Sequence, residues 1–361
     1  MKALLFAGLV GLVVVSVLAA CAGTVPTDGQ DGGGDHGSFP SDCGAWGDGT
    51  SDDVLDDGAP YAADHGGGPD LTQPAASEEL RIVSWNVWHG NSKANFVDAL
   101  AEFEKEGIDI VGFQELSDNG KPEALVEKTG CAACYYQAWK PGKPGQGGNV
   151  SIIWKKSRFS VAVDAQGAKM QYAVKVHDSQ PVEEGAGGST AGTKYIVYVL
   201  LQDKLTNRSL WAMNAHALPS VEGQCGHPND NILRLTLYKQ MMDTFKAKIT
   251  NKTKPVFVTG DYNVNYRCDK NVQHHRFPWK SFNSLSPKVK SNWEWHEKAG
   301  LALPAVGTHK PHLGGKRLID YVFARSDPAV SYKGTAIWQH RRFGSDHAPV
   351  RATYQIKVET D

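Results

Sequence analysis

Eight short runs of β-branched and aromatic residues, each stopping near a Gly, Asn or Asp, limit what this chain can fold into more than any other feature. Arg81 to Val87, Ile108 to Phe113, Val150 to Trp154, Tyr195 to Leu201, Ser209 to Asn214, Val256 to Thr259, Leu318 to Phe323 and Val350 to Ile356 read as strands. Helical spacing interrupts them. Phe96, Val97, Leu100 and Phe103 recur at one period, and Ile232, Leu235, Met242 and Phe245 at another. Strands mixed with helices predict a layered α/β fold, and no internal repeat is visible.

Six short polar signatures are attached to the ends of apolar runs: Trp85-Asn86, Gln114-Glu115, Asn214-Ala215-His216, Gly260-Asp261-Tyr262-Asn263, Asp320, and Ser345-Asp346-His347. Oxygen ligands, two imidazoles and amides at strand ends are what hydrolysis of a phosphodiester around a hard divalent cation requires. Singly each is weak, since Asn-x-His or Ser-Asp-His arises by chance and Gly-Asp is usually a turn. Glu115 and Asn86 pair a carboxylate with a neutral amide oxygen, which suits such a cation without overcharging its site. Asp261 and Asn263, two apart after the buried run Val256-Phe257-Val258, point to the same side of an extended segment; the alternative is a turn with capping side chains. Asp346 and His347 are neighbours and face opposite ways, so they have different roles. A buried carboxylate beside a histidine raises its pKa and fixes its tautomer.

The ordered segments Ser84-Trp85-Asn86-Val87, Ile110-Val111-Gly112-Phe113-Gln114-Glu115, Trp211-Ala212-Met213-Asn214-Ala215-His216, Val256-Phe257-Val258-Thr259-Gly260-Asp261-Tyr262-Asn263, Leu318-Ile319-Asp320-Tyr321-Val322-Phe323 and Gly344-Ser345-Asp346-His347-Ala348-Pro349-Val350 resemble the endonuclease/exonuclease/phosphatase superfamily, the deoxyribonuclease I-like hydrolases. The resemblance runs from about residue 80 to 357. It implies a four-layer α/β/β/α sandwich of two facing mixed sheets flanked by helices. It also implies roles: Glu115 binds the metal with Asn86 and Asp346 in its shell, and Asp261 orients or deprotonates the attacking water. Asn263 binds the phosphate, His216 and His347 flank it, and Asp320 orients His347. Magnesium is the expected ion, with manganese or calcium as alternatives. No acid to orient His216 is identifiable. Leu116-Ser117 stands where deoxyribonuclease I-type nucleases continue with a basic residue that contacts DNA. Asn149 is a candidate helper at the site, while His89, His309 and His312 read as surface or packed residues, the last two near the rim.

The N-terminal end has a different character. Lys2, the apolar stretch from Ala3 to Ala20, and Leu18-Ala19-Ala20-Cys21 read as an export signal ending in a bacterial lipobox, with Cys21 as the lipid-bearing residue; an uncleaved anchor is the alternative. Residues 22–79 are rich in Gly and Asp and poor in large apolar residues, which predicts a flexible acidic tether. The expected division is therefore 1–21 signal, 22–79 tether and 80–361 one catalytic domain. From Leu80 onward 37 Lys and Arg stand against 26 Asp and Glu, a surplus of 11 that attracts polyanions. Local concentrations are Trp154-Lys155-Lys156-Ser157-Arg158 and His340-Arg341-Arg342. In an exported chain a Cys225–Cys268 bridge is expected at the site rim, Cys131 and Cys134 read as a small loop disulfide, and Cys43 is left over. Trp279, Trp293 and Trp295, interleaved with cations between Val264 and Glu297, suit base stacking, insertion among lipid headgroups or simple packing.

The sequence thus points to an exported, surface- or envelope-tethered phosphodiester hydrolase, a monomer held at the membrane through lipid on Cys21. Nucleic acid is the first expected substrate, cut as an endonuclease or exonuclease. A phospholipid or phosphoinositide substrate, as for a sphingomyelinase-type phospholipase C or a phosphoinositide phosphatase, is the alternative. A non-catalytic surface-binding lipoprotein is a third, opposed by the six signatures, because a fold needs only their apolar halves.

Overall fold

All eight apolar runs form strands, and shorter, more polar strands join them at the sheet margins. A computed structural model describes residues 76–116, 136–139, 150–182, 190–309, 316–338 and 343–359. In chain order the strands are β1 (Ser77–Asn86), β2 (Ile110–Gln114), β3 (Tyr136–Trp139), β4 (Ser151–Lys155), β5 (Phe159–Val161), β6 (Gln171–His177), β7 (Gln180–Pro181), β8 (Thr190–Ala191), β9 (Lys194–Asp203), β10 (Arg208–His216), β11 (Val256–Asp261), β12 (Val289–Ser291), β13 (Asp320–Arg325), β14 (Val330–Ile337) and β15 (Val350–Lys357). The helices are α1 (Lys93–Lys105), α2 (Ile232–Thr250), α3 (Tyr266–Val272), α4 (Pro278–Asn283) and α5 (Asn292–Lys298). The signal and lipobox, nearly all of the tether, Cys43, Cys131, Cys134, Asn149, His312 and His340-Arg341-Arg342 lie outside the described residues.

One sheet runs β14-β15-β1-β2-β4-β3 and the other β12-β13-β11-β10-β9-β5, with β6 also paired to β9. Alternate side chains along the strands separate into three apolar layers, as the two-residue period of a strand requires. Ile82, Ile110, Trp154 and Tyr354 meet Val197, Leu201, Phe257 and Val322 between the sheets. On the outer face of the first sheet, Val83, Trp85, Val111 and Phe113 pack on Phe96, Leu100 and Phe103 of α1. On the outer face of the second, Tyr198, Met213 and Val258 pack with Leu235, Met242 and Phe245 of α2 and with Trp293 of α5. This is the expected sandwich of two mixed sheets flanked by helices. Each buried Leu or Phe contributes about 1.5–3 kcal/mol, so these layers, not helix propensity, hold the helices in place.

Four details differ from expectation. Strand β1 begins at Ser77, so Ser77, Glu78 and Glu79 pair with β15 instead of belonging to the tether; all three are exposed and carry no apolar signal. Ile232 shares the spacing of the α2 stripe yet is 74% exposed in the first turn, where the helix has not reached the packed face. Arg158 is 4% exposed and so cannot belong to a polyanion-binding patch. The segment from Val264 to Glu297 is built into helices and β12, with Trp293 fully buried and donating to the Asp320 carbonyl at 3.0 Å, so packing accounts for that tryptophan.

Each sheet contains one parallel pair, β1 with β2 and β10 with β11, and the C-terminal ends of both pairs fall at the same end of the sandwich. Beneath those ends a buried polar network joins the sheets. Asn214 donates to the carbonyls of Phe113 and Ser151 at 2.7 and 2.9 Å, and its Oδ1 accepts from Gln114 at 2.7 Å and Thr259 at 3.1 Å. Ser84 Oγ accepts from the Gly260 amide at 3.0 Å. Gly112 permits this approach: a Cβ there would lie 1.9 Å from Thr259 Oγ1. At the other end of the strands, buried Arg158 donates to Asp203 at 2.8 and 3.1 Å, to Asp109 at 3.0 Å and to the Glu79 carbonyl.

Candidate active site

Strand pairing, parallel within β1–β2 and β10–β11 and antiparallel between β11 and β13, sets the positions of the polar strand ends. Asn86 lies opposite Gln114 on β1 and β2, His216 opposite Asp261 on β10 and β11, and Asp261 opposite Asp320 on β13. Glu115 follows β2 with φ at 54°, and Asn263 follows β11 with φ at 55°. Such left-handed backbone is unfavourable for residues other than glycine, and here it occurs at two residues expected to be functional.

Asp261 Oδ2 is the meeting point. Asn86 Nδ2 donates to it at 3.1 Å and to Glu115 Oε1 at 3.0 Å, which links the two carboxylates. The Asn86 oxygen accepts from the Trp88 amide at 3.0 Å. His216 Nε2 is 3.6 Å from both Asp261 Oδ2 and Glu115 Oε1, and His347 Nε2 is 3.8 Å from Asp261 Oδ2. His347 Nδ1 rests on Asp320 at 2.9 and 3.1 Å, the pairing expected from the sequence. The backbone of this last segment is fixed by Ser345 Oγ, which donates to the Asn86 carbonyl at 2.7 Å and accepts from the His347 amide at 3.0 Å. Six of the eight anticipated residues, Asn86, Glu115, His216, Asp261, Asp320 and His347, thus form one continuous set of contacts.

The other two attach at its edges. Asn263 donates its amide N–H to Asp261 Oδ1 at 2.9 Å, so the segment is a turn closed by the aspartate rather than an extended strand. Asp346 places Oδ2 3.6 Å from His309 Nε2, and the His309 ring lies 4.4 Å from the His347 ring. His309 therefore borders the site, as does His89, whose Nδ1 is 3.3 Å from Glu115 Oε2. His89 had read as an ordinary surface or packed histidine, whereas His309 had been expected near the rim. Lys194, at the start of β9, places Nζ 3.5 Å from His216 Nδ1. No sequence signal marked it, because a lone lysine opening an apolar strand reads as a solvated end. The Cys225–Cys268 bridge is formed and ties the loop after His216 to α3.

Burial and charge set the protonation states. Burial alone would lower His347, but the carboxylates of Asp320 and Asp261 more than offset it and raise the ring to about 9. Burial holds His216 well below its ordinary value, with the charges of Lys194 and His347 acting in the same direction. Burial lowers the Lys194 ammonium to about 8 against the pull of Asp261 and Glu115. It raises the Asp261 carboxyl, opposed by the charge of His347. One imidazole is thus cationic and the other neutral near pH 7.

Residues 83–347 match the Endonuclease/Exonuclease/phosphatase family, and the chain belongs to it. The phospholipase C of Staphylococcus aureus is 24% identical over 299 residues, covering 76% of this chain and 87% of that protein. Among solved structures, an endonuclease/exonuclease/phosphatase family protein from Bacteroides thetaiotaomicron superposes with a TM-score of 0.56 at 16% identity over 80% of this chain and 98% of its own. D. rerio TDP2 complexed with a single strand DNA product gives 0.52 at 17% identity, covering 76% and 98%. The mannosyl-6-phosphatase of Bacteroides thetaiotaomicron VPI-5482 gives 0.52 at 16% identity, covering 76% and 99%. The chain is therefore a phosphoesterase of this superfamily by descent, and the structural likenesses bear on fold alone.

Enzymes of this family are generally dependent on a divalent metal, and the residues present fit one. Glu115 Oε1 and Asp261 Oδ2 share a single amide donor, so two anionic oxygens converge in a part-buried place where like charges need compensation. Asp261, Asp320 and His347 also offer ligand atoms within 4.8 Å of one another. Hard oxygen donors dominate the Glu115 side, as magnesium, manganese or calcium prefer.

Proposed function

We propose that the chain is a metal-dependent phosphodiester hydrolase. The observation that carries this reading is the convergence of Asn86, His216 and His347 on one oxygen of Asp261 beside Glu115. In this reading Glu115 holds the cation, with Asp346 contributing to its shell, and Asn86 fixes the spacing of Glu115 and Asp261. The bound cation supplies positive charge that polarises the phosphate and stabilises the departing oxygen. Asp261 orients the water and takes its proton as the new P–O bond forms and the ester P–O bond breaks; burial, by raising its pKa, makes it a better acceptor. His347, held by Asp320, presents a cationic N–H to the charge developing on phosphorus oxygens, and Asn263 binds the same group.

For the substrate we place a phospholipid headgroup ester first, in the manner of a phospholipase C. The support is the Staphylococcus aureus phospholipase C likeness, which runs through the sequence along 87% of that protein. Trp88, 39% exposed and two residues beyond Asn86, gives the rim an apolar contact for a lipid surface. Nucleic acid is the second reading, favoured by the surplus of 11 basic residues from Leu80 onward. The deciding experiment incubates the purified chain with sphingomyelin or phosphatidylcholine vesicles, plasmid DNA and RNA, in magnesium and in EDTA. Magnesium-dependent release of water-soluble phosphocholine supports the lipid reading. Cleavage of nucleic acid alone would replace it with the nuclease reading, and turnover of no phosphodiester at all would reject both.

A further inference from the structure

Within the proposed reaction the two imidazoles are held by opposite kinds of partner. His347 Nδ1 faces a carboxylate, whereas His216 Nδ1 faces the ammonium of Lys194 at 3.5 Å. An ammonium has three donors and no acceptor, so the nitrogen opposite it must offer a lone pair. The far nitrogen, Nε2, faces Glu115 Oε1 and Asp261 Oδ2 at 3.6 Å each, and ionised carboxylates only accept. Both sides of the ring therefore demand the same arrangement, with the proton on Nε2.

We propose that Lys194 is a positioning residue that fixes His216 as the Nε2–H tautomer. His216 then serves the reaction as a hydrogen-bond donor to a phosphate oxygen and not as the base that receives the proton of water. Nε2 is the nitrogen on the Glu115 and Asp261 side, where the phosphate binds in the proposed function, and a ring already protonated there has no lone pair to offer. Proton removal is left to Asp261. The inference follows from the ammonium that faces His216 Nδ1, where His347 Nδ1 has a carboxylate, and from the register that sets Lys194, the first residue of β9, beside the end of β10. It rests on the phosphodiesterase reading for its catalytic meaning but not for the tautomer itself.

The test labels histidine nitrogen with 15N in the full chain and records long-range proton–nitrogen correlations, which show which ring nitrogen is protonated. The His216 signals are assigned by their loss in His216→Gln. A neutral ring protonated at Nε2 in the wild type is the expected result; protonation at Nδ1 overturns the proposal and needs no variant. Lys194→Met leaves only the carboxylates on the Nε2 side to hold the tautomer, so an Nδ1–H population absent from the wild type should become detectable beside Nε2–H, and a spectrum without it in that folded variant overturns the role of the lysine. Lys194→Arg, which keeps a donor, should preserve the wild-type pattern. With bis(p-nitrophenyl) phosphate as probe, Lys194→Met should lower kcat about tenfold or more with KM within about twofold, the signature of an interaction made in the transition state. A rise in KM alone would overturn the assignment. If the wild type does not hydrolyse the probe, the kinetic comparison uses whichever phosphodiester the vesicle and nucleic-acid incubation shows it to cleave; turnover of none rejects the phosphodiesterase reading, while the tautomer is still decided by the spectra.

Discussion

At the scale of single residues, Asp320 and His347 carry the most direct consequence. The His347 ring is raised to about 9 with Asp320 among the causes, so its cationic form should persist to alkaline pH and catalysis should decline only above that value. Asp320→Asn removes the partner and should bring the alkaline limb of kcat/KM toward the ordinary histidine value of about 6.5, with kcat falling by roughly 10²-fold or more. A pH–rate profile of the two proteins checks this; an unmoved limb would mean that another group sets it. The same pair affects stability. Because the folded value lies above the unfolded one, its contribution is complete below about 6.5 and is lost as pH rises through about 9, which denaturation of the metal-free chain across that window should register. His347 and Asp320 were legible in the sequence because each stands at the start of an apolar strand, Asp320 opening β13 and His347 just ahead of β15. Lys194 was not, since its meaning comes wholly from the pairing of β9 with β10.

At the scale of elements, two tie points hold parts of the sandwich that apolar packing alone leaves loose. Arg158 joins β5 to Asp109 before β2 and Asp203 at the end of β9 while almost wholly buried. Arg158→Met should cost about 3–5 kcal/mol, because two carboxylates remain buried without their partner; urea unfolding measures it, and a loss under 1 kcal/mol would show that the acids find other compensation. The Cys225–Cys268 bridge spans 43 residues, and the paired Cys225→Ser, Cys268→Ser variant should lose about 2–4 kcal/mol, read in the same way against the oxidised parent. Strand legibility followed burial. The eight runs read from sequence are the sheet interiors, whereas β14, half-buried along most of its length, and β6, buried only at its last two residues, offer little apolar contrast and escaped notice. The helices between Val264 and Glu297 escaped for another reason: each is six or seven residues long, too short to show a period.

At the scale of the whole molecule, charge and anchorage make separable claims. If nucleic acid is the substrate, KM should rise steeply between about 50 and 200 mM salt through counterion release; a nearly flat response together with vesicle hydrolysis would leave the lipid reading in place. The lipobox reading predicts that Cys21→Ser moves the chain from the membrane fraction to the soluble one, and retention in the membrane fraction would favour an apolar anchor instead. The layered architecture was readable because strand and helix periods differ, but the joining of the layers was not. Gln114 and Asn214 stood in the polar signatures without a role of their own, and Ser84 and Thr259 were polar positions beside apolar runs, until the sheets were face to face. Their amide-and-hydroxyl stitching gives the catalytic floor little mechanical play, since Asn86 and Glu115 cannot drift from His216 and Asp261 without breaking directional bonds in a dry interior. Warming the protein should therefore extinguish turnover and ellipticity together, with no intermediate stage in which a loosened centre sits on an intact scaffold.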